Sequence, residues 1–244
     1  MSPSGAPAVV VEDLTAGYNG MAVVHDLSIT ADFGTVTALL GANGAGKTTT
    51  LLAIAGSLRP MGGRIFVMGR SIERRACHQV VRMGLSMVPE TRGLVYEMTV
   101  GENLRLHIKR RARQRADEMF DLFPPLRGLG SRRAGLLSGG EQQMLALACA
   151  ISAGGRTLLI DELSHGLAPI VVETLLPTVQ TLARERGIAV VLVEQHVDAA
   201  LRVADFVYVL NRGRVVMAGS SADIGDRSEV VEASYLGLNT DPVA

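Results

Sequence analysis

The sequence predicts an α/β fold that combines a phosphate-binding core with an antiparallel β subdomain and an inserted helical subdomain. An apolar run, Val36–Leu40, precedes a glycine-rich loop and a leucine-bearing helical segment, the order found in phosphate-binding units. Two strand patterns come before this unit, and helical patterns fill residues 90–155 between later strands. We therefore expect one domain over residues 1–244, with the core and β subdomain at 1–89 and 156–244 and the helical subdomain at 90–155.

The composition is that of a soluble globular protein without a nucleic-acid partner. The 244 residues are 48% apolar, the formal net charge is zero and aromatic residues are few, so neither a basic field nor a stacking platform favours nucleic acid. Cys77 and Cys149 fit neither a disulfide framework nor a metal site, which favours a reducing cytoplasm. The sequence has no signal-peptide pattern and no apolar run long enough for a bilayer, so any membrane role is expected to need a partner.

The glycine-rich loop, GANGAGKTTT at residues 41–50, has the P-loop spacing. Its glycines let successive backbone N–H groups surround a phosphate chain, and the following helix adds its positive dipole end. Lys47 is predicted to reach the β- and γ-phosphates and Thr48 to bind Mg²⁺. The sequence has only one other lysine, Lys109, which indicates that lysine was selected at this position. The predicted nucleotide contacts in the loop are Gly41, Asn43, Gly44, Ala45, Gly46, Lys47, Thr48 and Thr49.

Strand patterns at residues 9–14 and 23–29, joined by a turn at 18–20, predict an antiparallel pair before the P-loop strand. Tyr18 is either an ordinary turn aromatic or a ring that stacks on adenine. Residues 62–68 predict another strand, and one more ends at 87–89.

The predicted helical subdomain begins after Pro89. Thr99 and Glu102 form a capping box before a helical pattern, and Pro124 with Pro125 ends the next helix. The basic run at residues 109–115 is more typical of a solvated helix face than of a contact with lipid headgroups or nucleic acid.

A second helix start, at residues 137–141, has an unusual composition. Ser138 and Glu141 are spaced as a capping box, which alone predicts only a well-made helix start. Gly139 and Gly140 lie between them, although glycine is unfavourable in a helix. Both glycines would let backbone N–H groups approach an external anion.

The apolar strand at residues 157–160 leads into two adjacent carboxylates. The carboxyl ends of such strands form ligand sites in α/β sheets, so we expect Asp161 to hold Mg²⁺ and Glu162 to polarise an attacking water. A helix at 169–186 and a strand at 188–193 follow, and they deliver His196 to the predicted γ-phosphate. A hairpin at 205–218 and a helix near 229–236 complete the chain.

These stretches together resemble the ATP-binding subunit of ABC transporters over essentially the whole chain. GANGAGKTTT resembles the Walker A motif, LSGGEQQMLAL the signature motif, LLIDE the Walker B strand, and Tyr18 the adenine-stacking aromatic. VPETRG, TVGENL, GLAP, VEQH and the ending SYLG are most similar to the second ATPase of the bacterial branched-chain amino acid importer. The resemblance implies a P-loop NTPase (RecA-like) core, ATP and Mg²⁺ as ligands, Glu162 and His196 as catalytic residues, and Glu90 beside the metal.

The sequence departs from the family pattern at several positions. Glu90 stands where most members have Gln, although the branched-chain group often has Glu at this position. Leu163 replaces the usual Pro, and His165 lies in the loop that crosses between paired subunits. Cys149 replaces a usual Arg, and His196 follows the general pattern where close relatives often carry Asn.

The resemblance also implies that two subunits share each site. Ser138, Gly139, Gly140 and Glu141 of one chain would then contact ATP held by another. The implied partners are a second ATPase subunit, identical or related, transmembrane permease subunits and, indirectly, a periplasmic or extracellular solute-binding protein, with the chain peripheral on the cytoplasmic face of the membrane.

Three functions are compatible with the sequence. The first is the ATPase of an importer for branched-chain or other hydrophobic amino acids. The second is an ATPase subunit for urea, an amide or an exported lipid. The third is a soluble ABC-type ATPase acting on DNA or the ribosome, a class that usually joins two cassettes or adds long coiled coils.

Overall fold

The computed structural model describes residues 6–107 and 114–226. The predicted last helix near 229–236, the SYLG ending and most of the basic run at 109–115 lie outside these ranges. The described part contains ten strands in two sheets. The strands are β1 Val9–Tyr18, β2 Met21–Ala31, β3 Val36–Leu40, β4 Gly62–Val67, β5 Arg70–Ser71, β6 Leu85–Val88, β7 Thr157–Asp161, β8 Ala189–Glu194, β9 Phe206–Asn211 and β10 Arg214–Ser220.

The six-stranded sheet carries the phosphate-binding loop. Its order is β10-β9-β3-β8-β7-β6, and the five strands from β9 to β6 are parallel. Strands β3, β7 and β8 are buried along their whole length, as expected for parallel strands covered on both faces. Their carboxyl ends meet at one edge, and the predicted hairpin closes the sheet as the antiparallel pair β9 and β10.

The four-stranded sheet has the order β2-β1-β4-β5 and is antiparallel throughout. The predicted strand pair before the P-loop is therefore confirmed, and both strands are longer than their sequence patterns indicated. Asn19 and Gly20 make the turn between them with positive φ angles of 52° and 82°. Asparagine and glycine are the residues that adopt this conformation most readily.

Eight α-helices connect or cover the described strands. They are α1 Lys47–Ile54, α2 Cys77–Arg82, α3 Val100–His107, α4 Gln114–Leu122, α5 Gly139–Ser152, α6 Pro169–Arg186, α7 Val197–Leu201 and α8 Ser221–Gly225. Two short 3-10 helices, Pro124–Leu129 and Ala134–Leu136, join α4 to α5.

The helical segment between β6 and β7 follows the sequence signals closely. The capping box before α3 is confirmed, because the Thr99 N–H donates to Glu102 Oε2 over 2.8 Å and the Glu102 N–H to Thr99 Oγ1 over 3.2 Å. Helix α4 ends at Leu122, just before Pro124. The assignment of residues 90–155 to a separate subdomain stays a prediction.

Two large apolar clusters cover the two faces of the six-stranded sheet. One packs α3, α4, α5 and α6 onto the sheet, and the other fills the space between both sheets and α1. Among the described residues, none of the helices combines the length and apolarity that crossing a bilayer requires.

Candidate functional site

The loop between β3 and α1 folds as a phosphate-binding turn. Gly46 has a φ of 103° and directly precedes the first helical residue, Lys47. A Cβ atom at Gly46 would lie 2.9 Å from Val24 Cγ2, so glycine is required both for the backbone conformation and for the close approach of β2. The first N–H groups of α1 therefore point out of the loop with no helical partner, as in other anion-binding helix starts.

A cavity of about 340 Å³ opens in front of this loop. Eight of the predicted site residues line it, from three separate parts of the chain: Asn43, Gly44, Gly46, Lys47, Thr48, Thr49, Glu90 and Glu162. Gly41 and Ala45 are buried within the loop itself. Strand ends far apart in sequence thus converge on one polar cavity.

Lys47 is the buried cation of the cavity, with only 4% of the residue exposed. Its Nζ atom donates to the carbonyl oxygens of Gly41 and Ala42 over 2.8 and 3.1 Å and lies 3.8 Å from Glu162 Oε1. Burial lowers the pKa of Lys47, while the nearby carboxylates, Glu162 foremost, act to raise it.

Thr48 and Asp161 link the loop to the end of β7. The Thr48 hydroxyl donates to Asp161 Oδ1 over 3.2 Å. Burial raises the pKa of Asp161 to about 6, against the effect of the Thr48 hydrogen bond. Thr48 and Glu90 line the cavity, and Asp161 adjoins it through the hydrogen bond to Thr48, so these groups offer the hydroxyl and carboxylate oxygens that Mg²⁺ prefers. The donor set therefore fits Mg²⁺.

Glu162 follows β7 in a left-handed backbone conformation, with a φ of 51°. Its N–H donates to Val193 O over 2.9 Å, which fixes the turn against β8. Gln195 Nε2 and His165 Nδ1 both lie 3.3 Å from Glu162 Oε2. The carboxylate thus faces the cavity with one oxygen held by two side chains and the other near Lys47.

The sequence did not identify Gln195 and His165 as site residues, although both line the cavity. Tyr18 and Asp161 were predicted but are not among the lining residues, and neither is His196. It is exposed at the start of α7 and lines a neighbouring cavity instead. Because successive side chains after a strand point in different directions, the residue next to the predicted one reaches Glu162.

A buried carboxylate holds the loop that follows Glu162. Glu194 is fully buried at the end of β8, and it accepts hydrogen bonds from the N–H and the hydroxyl of Ser164 over 2.9 and 2.6 Å. Burial raises the pKa of Glu194, while the two hydrogen bonds act against this shift. Leu163, which stands where the family usually has Pro, is fully buried and adds an apolar anchor.

Tyr18 lies beside the first turn of α1, with 44% of the residue exposed. Its hydroxyl oxygen is 3.5 Å from Thr49 Oγ1, at the outer limit of a hydrogen bond. The ring thus remains accessible close to the phosphate-binding loop.

Residues 138–141 form the start of α5 and do not line the phosphate cavity. Ser138 and Glu141 make the predicted capping box, with N–H to side-chain distances of 2.7 and 3.3 Å. A Cβ atom at Gly140 would lie 2.9 Å from Val171 Cγ1, whereas one at Gly139 would make only ordinary contacts. Close packing on α6 is therefore a second reason for glycine at position 140.

Comparisons with known proteins agree with this geometry. The family model described as ABC transporter matches residues 24–165. The chain is 38% identical over 224 residues to the high-affinity branched-chain amino acid transport ATP-binding protein BraG of Pseudomonas aeruginosa, covering 90% of this chain and 95% of that protein. It is 33% identical to the lipopolysaccharide export system ATP-binding protein LptB of Acidithiobacillus ferridurans, covering 93% and 95% of the two chains.

The fold also agrees with those of solved structures. A solved ATP-binding subunit of an ABC transporter superimposes with a TM-score of 0.81 at 28% identity, covering 96% of this chain and all of that one. The cassette MJ1267 in its ADP conformation superimposes with a TM-score of 0.82 at 24% identity, covering 96% and 100%. The site geometry and the sequence similarity over nearly the whole length lead to the same conclusion. The chain is an ATP-hydrolysing cassette of the ABC transporter family.

Proposed function

We propose that this cassette energises an importer for branched-chain or other hydrophobic amino acids. The observation that carries the proposal is the phosphate cavity, in which Lys47, Thr48 and Glu162 converge, in a chain similar over its length to BraG. Transport of the solute then follows from opening and closing of the assembly, because the solute itself does not reach this cavity.

In the proposed mechanism, the P-loop binds the phosphates of ATP. The backbone N–H groups from Gly44 to Thr49 surround the phosphate chain, and the Lys47 ammonium neutralises the β- and γ-phosphates. Tyr18 stacks on the adenine from the exposed side of the loop. Thr48, Asp161 and Glu90 would hold Mg²⁺, which would neutralise phosphate charge when bound.

Glu162 is the proposed general base. Its carboxylate accepts the proton of the attacking water, while His196 contacts the γ-phosphate after a local rearrangement of the loop that precedes α7. Gln195 and His165 position the carboxylate, because both contact the same oxygen, Oε2.

The complete site is proposed to need a second subunit. Ser138, Gly139, Gly140 and Glu141 lie outside the chain's own cavity, and the start of α5 presents N–H groups suited to an anion. These residues then contact the γ-phosphate of ATP held by the partner, an identical chain or a related ATPase. ATP closes the dimer and hydrolysis reopens it.

The permease subunits are proposed to dock beside Glu90. Exposed apolar side chains follow that loop, because Val95 and Tyr96 are 39% and 41% exposed. Leu136, in a second segment, is 64% exposed. The Gly135 N–H donates to Tyr96 O over 2.9 Å, so the two segments adjoin. An apolar surface next to a site residue supports a docking role. The chain would then lie on the cytoplasmic face of the membrane, with the solute-binding protein acting on the permease from the other side.

One alternative has specific support. The similarity to LptB favours an exported lipid as the solute. Uptake of labelled leucine by cells with and without the gene separates the two. Unchanged leucine uptake in the deletion strain would exclude the importer.

The experiment on the ATPase itself uses Glu162→Gln, which keeps the side-chain shape and removes the base. The variant should bind ATP, hydrolyse it at least about a hundredfold more slowly, and elute as a dimer in size-exclusion chromatography with ATP and Mg²⁺. Glu173→Gln, an exposed glutamate on α6, is the matched control. Hydrolysis by Glu162→Gln at the wild-type rate would exclude Glu162 as the base.

A further inference from the structure

A second cavity lies at the opposite end of the six-stranded sheet from the phosphate site. It measures about 380 Å³ and is enclosed by the starts of β6 and β7, the last turns of α5 and α6, and helix α4. This volume is within the range of small-molecule pockets. The cavity therefore bridges the helical segment and the parallel sheet.

Part of the inner wall of this cavity is apolar. Met119, Ile151, Leu158 and Ile188 line it, and each is less than 10% exposed. These side chains offer a surface that fits an aliphatic group.

Ser86 is one of the buried polar residues that line the cavity, with Ser152 and Thr157. It pairs in register with Leu158, which packs under α5 and α6, so both side chains lie on this face of the sheet. Ser86 is 8% exposed, and within the described residues no group hydrogen-bonds to its hydroxyl. A Cβ atom at Gly155 would lie 2.9 Å from Ser86 Oγ, so glycine keeps the hydroxyl accessible. The Ser86 hydroxyl is therefore available to a ligand. Thr157 Oγ1, on the same cavity, is buried without a partner among the described residues, and buried hydroxyls normally have one.

Charges of both signs lie at the rim. Arg186 Nη1 is 4.0 Å from Glu118 Oε2, a loose and half-exposed pair. Arg156, the other cation of the rim, stacks on the Phe33 ring at 4.4 Å. The rim thus provides guanidinium groups for a carboxylate and a carboxylate for an ammonium group.

We infer that this cavity binds a small zwitterionic amino acid with an apolar side chain. Arg186 and the Ser86 hydroxyl hold the ligand's carboxylate, Glu118 accepts from its ammonium group, and the aliphatic side chain packs on Met119 and Leu158. Only the choice of leucine as the probe rests on the proposed function. The inference that the ligand is an apolar amino acid comes from the chemistry of the cavity and does not depend on that function.

Calorimetric titration of the full chain with L-leucine, without nucleotide, tests the inference. Leucinol lacks the carboxylate and 4-methylpentanoate lacks the ammonium group, so both should bind about tenfold more weakly or worse. Arg186→Met and Glu118→Gln should weaken leucine binding by a similar factor. Ser86→Ala, which removes one oxygen, should weaken it several-fold.

Two variants serve as controls. Arg184→Met removes an arginine of the same helix that pairs with Asp205 over 3.2 Å and does not line the cavity, so leucine affinity should not change. Lys47→Ala should also keep leucine binding, which excludes the phosphate site. Absence of saturable binding at millimolar leucine, or wild-type affinity in Arg186→Met, Glu118→Gln and Ser86→Ala alike, would overturn the inference. Leucine binding to this chain, combined with unchanged leucine uptake in the deletion strain, would overturn only the proposed function.

Discussion

Lys47 illustrates how a buried charge is kept in this site. A lysine that is 4% exposed is destabilised as a cation by its loss of solvent. Three carboxylates, Glu162, Asp161 and Glu194, act against that effect, and two loop carbonyls accept its hydrogen bonds. The ammonium group is therefore held at a fixed point in front of the P-loop, where phosphate charge is to be neutralised.

Two different substitutions of Lys47 should each weaken nucleotide binding. Lys47→Ala removes the charge and should raise the Kd for ATP by about tenfold to a hundredfold. Lys47→Arg keeps the charge but should also fail, because a planar guanidinium does not fit a buried space shaped for a point charge. Equilibrium titration with ATP measures both, with Lys109→Ala as the control. Normal affinity and turnover in the arginine variant would show that lysine is not required.

The two cysteines should differ in reactivity. Cys149 is 3% exposed in α5, and burial raises the pKa of its thiol to about 12. A raised pKa leaves almost no thiolate at neutral pH, and the thiolate is the reactive form. Cys77 is partly exposed at the start of α2. Titration with a chromogenic disulfide should show one fast thiol in the native protein and two in denaturant, and Cys77→Ser should abolish the fast phase. A fast phase that survives in this variant would contradict the burial of Cys149.

At the scale of elements, the local signals in the sequence were sufficient for most boundaries. Helix α6 begins and ends at the residues predicted, because Pro169 starts it and Gly187 ends it with a left-handed φ of 61°. The sequence could not show that Gln195, and not the neighbouring His196, lines the cavity. This depends on which side chain after β8 faces β7, and the register that decides this, Asp161 opposite Val193, is a property of the sheet.

The two glycines at the start of α5 can be separated by substitution. Gly140→Ala places a Cβ 2.9 Å from Val171 Cγ1, and a β-branched side chain in a helix has little freedom to move away. This variant should be less stable than Gly139→Ala by about 1–3 kcal/mol in urea unfolding. Adding Val171→Ala should restore much of the difference, as a double-mutant cycle would measure. Equal stabilities of the two alanine variants would show that the close approach of Gly140 to Val171 has no energetic effect.

The whole molecule separates the two helix starts that are proposed to bind anions. The start of α1 lies at the phosphate cavity, while the start of α5 does not line it. Helix α1 follows β3, whereas α5 lies in the segment between β6 and β7, so the two helix starts are at different places in the fold. The arrangement supports two half-sites per chain, each completed by another copy or by a related ATPase.

This arrangement predicts complementation between two inactive variants. Ser138→Arg should leave ATP affinity nearly intact but abolish ATP-driven dimerisation, because a bulky cation blocks the interface without touching the chain's own P-loop. A mixture of this variant with Lys47→Ala pairs the intact Lys47 of one chain with the intact Ser138 of the other and rebuilds one site. Hydrolysis by the mixture should therefore exceed that of either variant alone, measured at equal total protein. Loss of ATP affinity in isolated Ser138→Arg would instead mean that Ser138 acts on its own chain's nucleotide.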